Sequence, residues 1–172
     1  MQIYNTLSKI KEHFKPLKPN KINLYVCGVT VYDYCHIGHA RVYLAFDVII
    51  RYLRYRGYEV NYIRNITDID DKIIERASNL NIPISELTSQ TIIDYNEDME
   101  YLGCLKPTKE PKATEHISQM IDIIQRLLNL GVAYESNQHV YFNVSKAKNY
   151  TALSRRTVEE MSESGRIESI DS

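Results

Sequence analysis

Apolar residues recur along this chain with two periods, and the order of the periods sets out an α/β protein. After a polar start, Ile22-Asn23-Leu24-Tyr25-Val26-Cys27 is a short β-prone run closed by Gly28, the pattern of a buried strand and the expected first strand of a parallel sheet. From Val42 the apolar positions Val42, Ala45, Phe46, Ile49, Ile50 and Leu53 step by three and four, which lays one stripe along a helix, and Gly57 supplies its left-handed stop. Glu59 to Arg64 reads as a second strand, after which Thr67 or Asp68 is placed to cap a helix carrying Ile73, Ile74 and Ala77. Strand, helix and strand in such close succession form a parallel crossover unit.

Beyond Pro83, Ile84 to Leu102 is expected to be helical with Ile92, Met99 and Leu102 facing inward. Lys106 to Lys112 holds two prolines and no helical period, so it reads as a connector or a short extended piece. Thr114 is placed to cap the helix of Ile117, Ile121, Ile124 and Leu128, which Gly131 ends. Val132–Tyr134 and His139–Val144 flank a polar Glu-Ser-Asn-Gln stretch, a hairpin leaving the main sheet. After Ala152 the sequence turns polar, and no closing element is expected over Ser162–Ser172.

Composition narrows the classes. With 172 residues, 44% hydrophobic and 25% charged, the chain has the make-up of an ordinary soluble domain. Twenty-one basic residues against 22 acidic ones leave a net charge of -1, so no overall positive field draws in a nucleic acid. No apolar run nears the ~20 residues of a membrane span, and Met1-Gln2-Ile3-Tyr4 lacks a signal pattern, so the cytoplasm is the expected compartment and no membrane partner is expected. Cys27, Cys35 and Cys104 are an odd set without a secretory context, which speaks against a disulfide framework.

Chemistry concentrates between Cys27 and His39, where a strand end feeds a loop that opens the first long helix; in open parallel sheets, ligands bind beyond the carboxyl ends of strands. His36 and His39 can turn both imidazoles the same way beside free backbone N–H groups and the positive end of the helix dipole, a phosphate-binding arrangement. Gly38 between them leaves room for a flat ligand such as adenine. For an arbitrary His-x-x-His the plainer reading is a pair of exposed histidines capping a helix, just as the plainer reading of Cys27 is a small buried residue at a strand end. Asp68, Asp70 and Asp71 lack the glycine and distal glutamate of a calcium loop and read as acidic residues of a helix's first turn. Arg51, Arg54 and Arg56, and Arg155-Arg156, read as solvated surface; Cys35, Cys104 and His139 read as packing residues. No Gly-x-Gly-x-x-Gly follows the first strand, which disfavours a dinucleotide dehydrogenase.

His36-Ile37-Gly38-His39 resembles the signature of class I aminoacyl-tRNA synthetases. Leu24-Tyr25-Val26-Cys27-Gly28 with Thr30-Val31-Tyr32-Asp33, the block from Val60 through Arg64-Asn65-Ile66-Thr67-Asp68-Ile69-Asp70-Asp71-Lys72-Ile73-Ile74, and Pro111-Lys112-Ala113-Thr114-Glu115-His116-Ile117 are similar, in order and spacing, to the cysteinyl members. The resemblance implies the first half of a Rossmann-like catalytic domain with a parallel sheet over residues 1–131, and the start of an inserted α+β connective segment over 132–172. It implies ATP-dependent activation of L-cysteine to cysteinyl-adenylate and transfer to tRNA(Cys), with ATP arriving with Mg2+. His36 and His39 are then the catalytic pair, His36, Gly38 and His39 the ATP contacts, and Gly28, Thr30 and Thr67 the amino-acid contacts. Cys27 matches the first of four zinc ligands in that family, and zinc's preference for sulfur would separate cysteine from serine. Arg155 and Arg156 would lie near the path of the tRNA acceptor end.

The resemblance also marks what is missing. The other three zinc ligands and the Lys-Met-Ser-Lys-Ser loop have no counterpart here; Met161-Ser162-Glu163-Ser164 is similar to that loop only superficially. The expectation is a truncated, monomeric chain that alone neither charges tRNA nor holds zinc tightly. The competing readings are a ligase joining cysteine to an amino sugar, and a nucleotide-binding fragment without catalysis.

Overall fold

The computed structural model of the protein describes residues 1–156 and residue 160. In chain order the elements are β1 (Gln2–Asn5), β2 (Ile10–His13), β3 (Lys21–Thr30), α1 (Ile37–Tyr55), β4 (Glu59–Thr67), α2 (Asp71–Leu80), α3 (Ile84–Tyr101), α4 (Ile117–Asn129), β5 (Ala133–Ser136) and β6 (His139–Phe142). Short 3-10 turns lie at Ala113–His116 and Val144–Lys146. The chain gathers into two compact units, Pro16–Gln119, and Met1–Lys15 together with the chain from Met120. The expectation for Ser162–Ser172 and the Met161–Ser164 comparison lie outside the described residues. No helix among the described residues is long and apolar enough to cross a membrane.

Within Pro16–Gln119, β3 and β4 pair in parallel from Lys21 opposite Glu59 to Thr30 opposite Thr67, with α1 as the crossover. Every second residue of β4 from Val60 to Ile66 is buried, and Ile22, Val26 and Val29 of β3 are buried beside it. The other edge of β4 takes up the connector: the Arg64 N–H donates to the Lys109 carbonyl at 3.2 Å and the Ile66 N–H to that of Pro111 at 2.9 Å. The connector is therefore a short extended piece, and β4 lies inside the sheet while β3 forms its edge among the described residues.

The ladder slips once. Val26 faces Arg64 and Val29 faces Ile66, so Cys27 and Gly28 together stand opposite the single residue Asn65, a β-bulge. Bulges bend a strand and re-aim its side chains, and this one sits three residues before the strand ends.

Helix packing departs from the sequence pattern in instructive places. The buried residues of α1 are Tyr43, Asp47, Ile50 and Leu53, whereas Val42 and Ile49 of the expected stripe are exposed. The helix is apolar nearly all round, so periodicity could not choose its inward face. Asp47 is drawn inside because its carboxylate accepts the Leu105 N–H at 2.8 Å and pairs with Arg51 at 2.6 Å; Arg51 in turn donates to the Gly103 carbonyl at 2.8 Å. Arg51 is a staple between α1 and the chain after α3 rather than a purely solvated residue. α3 buries Leu87, Thr88, Thr91, Tyr95 and Met99, with Ile92 and Leu102 only half-buried. Fully buried Ile50, Ile73 and Tyr95 each contribute about 2 kcal/mol of apolar transfer to the core.

The caps are reassigned too. The N-cap of α2 is Asp70, whose side chain accepts the Lys72 N–H at 3.0 Å, because β4 runs on to Thr67 and Asp68 is engaged elsewhere. Asp68 accepts both the backbone N–H of Thr114 at 3.0 Å and its hydroxyl at 2.5 Å. Thr114 therefore ties the connector to the end of β4, and α4 begins at Ile117 after a 3-10 turn. None of the residues of α4 is fully buried, so Ile117, Ile121 and Ile124 keep substantial exposure. Gly131, with φ 67°, ends the segment as expected.

In the unit formed by the two chain ends, β5 and β6 make the expected hairpin, turning through Asn137 and Gln138, both at positive φ. The hairpin of β1 and β2 was not anticipated from a start that reads only as polar.

Candidate active site

The carboxyl ends of β3 and β4 are joined by one side chain. The carboxamide oxygen of Asn65 accepts the Gly28 N–H and the Tyr25 hydroxyl, each at 2.8 Å, while its amide nitrogen donates to the Thr67 hydroxyl oxygen at 3.2 Å. Thr30 lies directly opposite Thr67, and the Val31 N–H donates to the Thr67 carbonyl at 3.1 Å. Gly28, Thr30 and Thr67, three residues expected to line one pocket, are thus neighbours. A β-carbon on residue 28 would run into the backbone carbonyl of Asn65, so glycine is dictated there by the bulge. Cys27 is exposed, which removes the reading of it as a buried packing residue.

His36 and His39 come together at the start of α1 in a reciprocal cap. Nδ1 of His36 accepts the Gly38 N–H at 3.0 Å, and Nδ1 of His39 accepts the His36 N–H at 3.2 Å. Their ring centroids are 4.1 Å apart. Because both Nδ1 atoms accept, a neutral ring in this cap carries its proton on Nε2, and each imidazole presents an N–H donor from its far side. His39 is held below the ordinary histidine pKa, first by burial and then by neighbouring His36, so it favours that neutral form. The sequence reading had left the first-turn N–H groups for phosphate; the structure engages those of His36 and Gly38 with the rings and offers Nε2–H groups instead. The chain itself supplies a reason for the glycine: a β-carbon at position 38 would stand 2.7 Å from Cε1 and 2.9 Å from Nδ1 of His36.

Neighbouring groups frame this loop. Lys72 of α2 lies 5.6 Å from the centre of the Tyr32 ring and Arg76 3.7 Å from the Asp33 carboxylate. Cys35 and His36 line a cavity of about 220 Å³ with Ala40, Asp98 and Met99. Burial, then Asp98, pushes the Cys35 thiol up to about 11, and burial, then Asp47, raises that of Cys104, so both are protonated at neutral pH and fit packing roles. His139 is exposed on β6, edge-on to Tyr141, rather than packed inside.

Sequence reasoning passed over two groups. One is Asn65, whose partners Tyr25 and Gly28 lie 40 and 37 residues away and leave no local trace. The other is Arg64, buried on β4, paired with Glu110 at 2.6 Å and set against the rings of Tyr43 and Tyr95 at 4.9 and 5.0 Å. An arginine in the middle of an alternating strand was the available signal, since buried charges are paired.

Toward zinc, the described residues offer a single candidate donor. Cys27 offers one exposed sulfur, and no cluster of three or more His, Cys, Asp or Glu able to hold a metal exists among the described residues. Asp70 and Asp71 serve the N-terminus of α2, and Asp68 is held by Thr114. No hydrogen bond among the described residues links the histidine pair to the Asn65 cluster.

Comparison with known proteins adds the following. Residues 13–172 match the family described as tRNA synthetases class I (C) catalytic domain. A cysteine--tRNA ligase of Geobacter metallireducens is 52% identical over 168 residues, 98% of this chain and 35% of that protein. One of Stutzerimonas stutzeri is 54% identical over 169 residues, 98% of this chain and 37% of that protein. The chain thus spans about a third of the length of these relatives. Among solved structures, Mycobacterium tuberculosis methionyl-tRNA synthetase in complex with methionyl-adenylate superposes with a TM-score of 0.57 at 22% identity, over 65% of this chain and 23% of that one. A LeuRS-tRNA-LeuAMS complex of Agrobacterium radiobacter gives 0.60 at 21%, over 70% and 16%. These two establish shared fold.

Proposed function

The chain belongs to the family of class I tRNA synthetase (C) catalytic domains, and on that footing we propose that it forms part of a cysteine--tRNA ligase, which activates L-cysteine with ATP and passes the cysteinyl group to tRNA(Cys). The observation that carries the reading is the double-histidine cap at the start of α1, in which each Nδ1 accepts a backbone N–H and each Nε2–H is left out of the cap.

In the first step a carboxylate oxygen of cysteine attacks the α-phosphorus of ATP, the bond to the bridging oxygen breaks, and pyrophosphate leaves with the electron pair. No proton needs to move at phosphorus. Negative charge shifts onto the leaving group, and donors fixed before the reaction stabilise it without reorganising. His36 and His39 suit that role: each Nδ1 is tied to a backbone N–H, so each Nε2–H is aimed rather than free to rotate. The Thr67 hydroxyl and the Gly28–Thr30 backbone are the proposed contacts to the amino acid, and Mg2+ is expected to arrive with ATP. Cys27 is the proposed sulfur donor to the family's zinc. Since the described residues supply no companion donors, no step is assigned to that metal.

The test is cysteine-dependent ATP–pyrophosphate exchange by the whole gene product that contains these residues. Exchange should appear, and His39→Ala should reduce kcat roughly 10²-fold, the scale of losing one preorganised donor. No exchange with cysteine, or an undiminished rate in the variant, would overturn the reading.

A further inference from the structure

We propose that Asn65 is a positioning residue that sets the polarity of the Thr67 hydroxyl, making it a hydrogen-bond donor toward the bound amino acid, and that fixes where Cys27 and Gly28 stand; this rests on the function proposed above. The Gly28 N–H can only donate, so the atom of Asn65 that faces it at 2.8 Å must be the carbonyl oxygen. The Tyr25 hydroxyl, also at 2.8 Å, joins the same oxygen. With that end fixed, the NH2 group must face Thr67, and it donates to the hydroxyl oxygen at 3.2 Å.

An NH2 group accepts nothing, so the Thr67 hydroxyl cannot return its hydrogen to Asn65. That hydrogen is left to point away from the carboxamide. An acceptor on the amino acid, its carboxylate or its thiolate, is the partner such a hydroxyl suits. The backbone of Asn65 grips the same neighbourhood, since its carbonyl occupies the place where a β-carbon of residue 28 would stand. One half-buried residue thus holds the bulge from both its side chain and its main chain, and the exposed Cys27 rides on that bulge.

Asn65→Asp separates this role from mere riveting of the sheet. It keeps an acceptor for the Gly28 N–H but replaces the donor to Thr67 with a second acceptor, to which the Thr67 hydroxyl would turn inward. Measured by pyrophosphate exchange in the whole gene product, Asn65→Asp should raise KM for cysteine about tenfold, the scale of one lost hydrogen bond, with KM for ATP and the melting temperature little changed. Thr67→Val should raise KM for cysteine alike, Thr67→Ser should not, and the double variant of Asn65→Asp with Thr67→Val should be no worse than Thr67→Val alone. An added carboxylate acting by charge repulsion would instead add to the Thr67→Val effect and overturn the inference. A cysteine KM unchanged in folded Asn65→Asp, or an ATP KM rising in step, would overturn it too. Should Asn65→Asp fail to fold, Asn65→Ser, which removes the amide donor without supplying a fixed acceptor, should raise KM for cysteine by a smaller factor, and an unchanged KM in that folded variant would overturn the inference. If the unsubstituted protein shows no cysteine-dependent exchange, the functional reading falls and takes this inference with it; a working protein indifferent to position 65 sinks the inference alone.

Discussion

At position 38 a single hydrogen does what any side chain would prevent. Gly38→Ala would place a β-carbon 2.7 Å from the His36 ring, and the ring, being the movable partner, would leave its cap. The loss of a cap, about 1 kcal/mol, is offset by the gain of alanine over glycine in a helix, also about 1 kcal/mol. On the function proposed above, Gly38→Ala in the whole gene product is therefore expected to melt near the unsubstituted protein while losing pyrophosphate exchange by about two orders of magnitude. Gly28→Ala has no such exit, because its obstacle is the Asn65 backbone; it should cost about 3 kcal/mol or more in urea unfolding. The pair also predicts a pH effect. A protonated His39 cannot accept the His36 N–H at Nδ1, and burial together with His36 places its folded pKa below the ordinary value of about 6.5. The stability it contributes is complete above that ordinary value and is lost as pH falls through the lower folded one. Ring titration by NMR should show His39 with a midpoint below that of the denatured chain; one at or above it would contradict the cap. The histidines, the two glycines and Cys27 stand out in the sequence because a strand end and a helix start bracket them within one stretch, whereas Thr67, on the second strand, was marked by the resemblance. Asn65 was passed over, since its work is done across strands.

At the scale of elements, the strands and helices of the Pro16–Gln119 unit were legible from periodicity, yet their faces and caps were settled by partners far along the chain. α1 turns Tyr43 and Asp47 inward because Arg64 on β4 and the Leu105 N–H wait for them. Thr67, Asp68 and Thr114 all looked like caps; two of them instead bond each other across 46 residues. The ion pair of Arg64 and Glu110 gives these elements a common point. The arginine side chain is 3% exposed and the glutamate 21%. Glu110→Leu would leave a guanidinium among aromatic rings with no counter-charge, and the expected cost is about 3 kcal/mol by urea unfolding. An unchanged midpoint would mean that Tyr43 and Tyr95 suffice to hold the charge.

Taken as a whole, the molecule presents much apolar surface. Val48 is 65% exposed and Tyr55 86% on the outer side of α1, and Ile121 and Ile123 of α4 are more than half exposed. The β1–β2 hairpin escaped the sequence reading because its strands are short and nearly all exposed, so no buried face imposed a period of two. The opposite holds for β3, whose inward residues are Ile22 and Val26 before the bulge and Val29 after it, with Val31 just beyond. The bulge acts as a phase shift. Without it, plain alternation from Val26 would send Val29 outward and Thr30 inward; because two residues are spent opposite Asn65, Val29 returns to the core. Shortening the stretch by one residue would leave Val29 facing the core but would erase the bulge, and with it the place where the Gly28 N–H meets the Asn65 carboxamide.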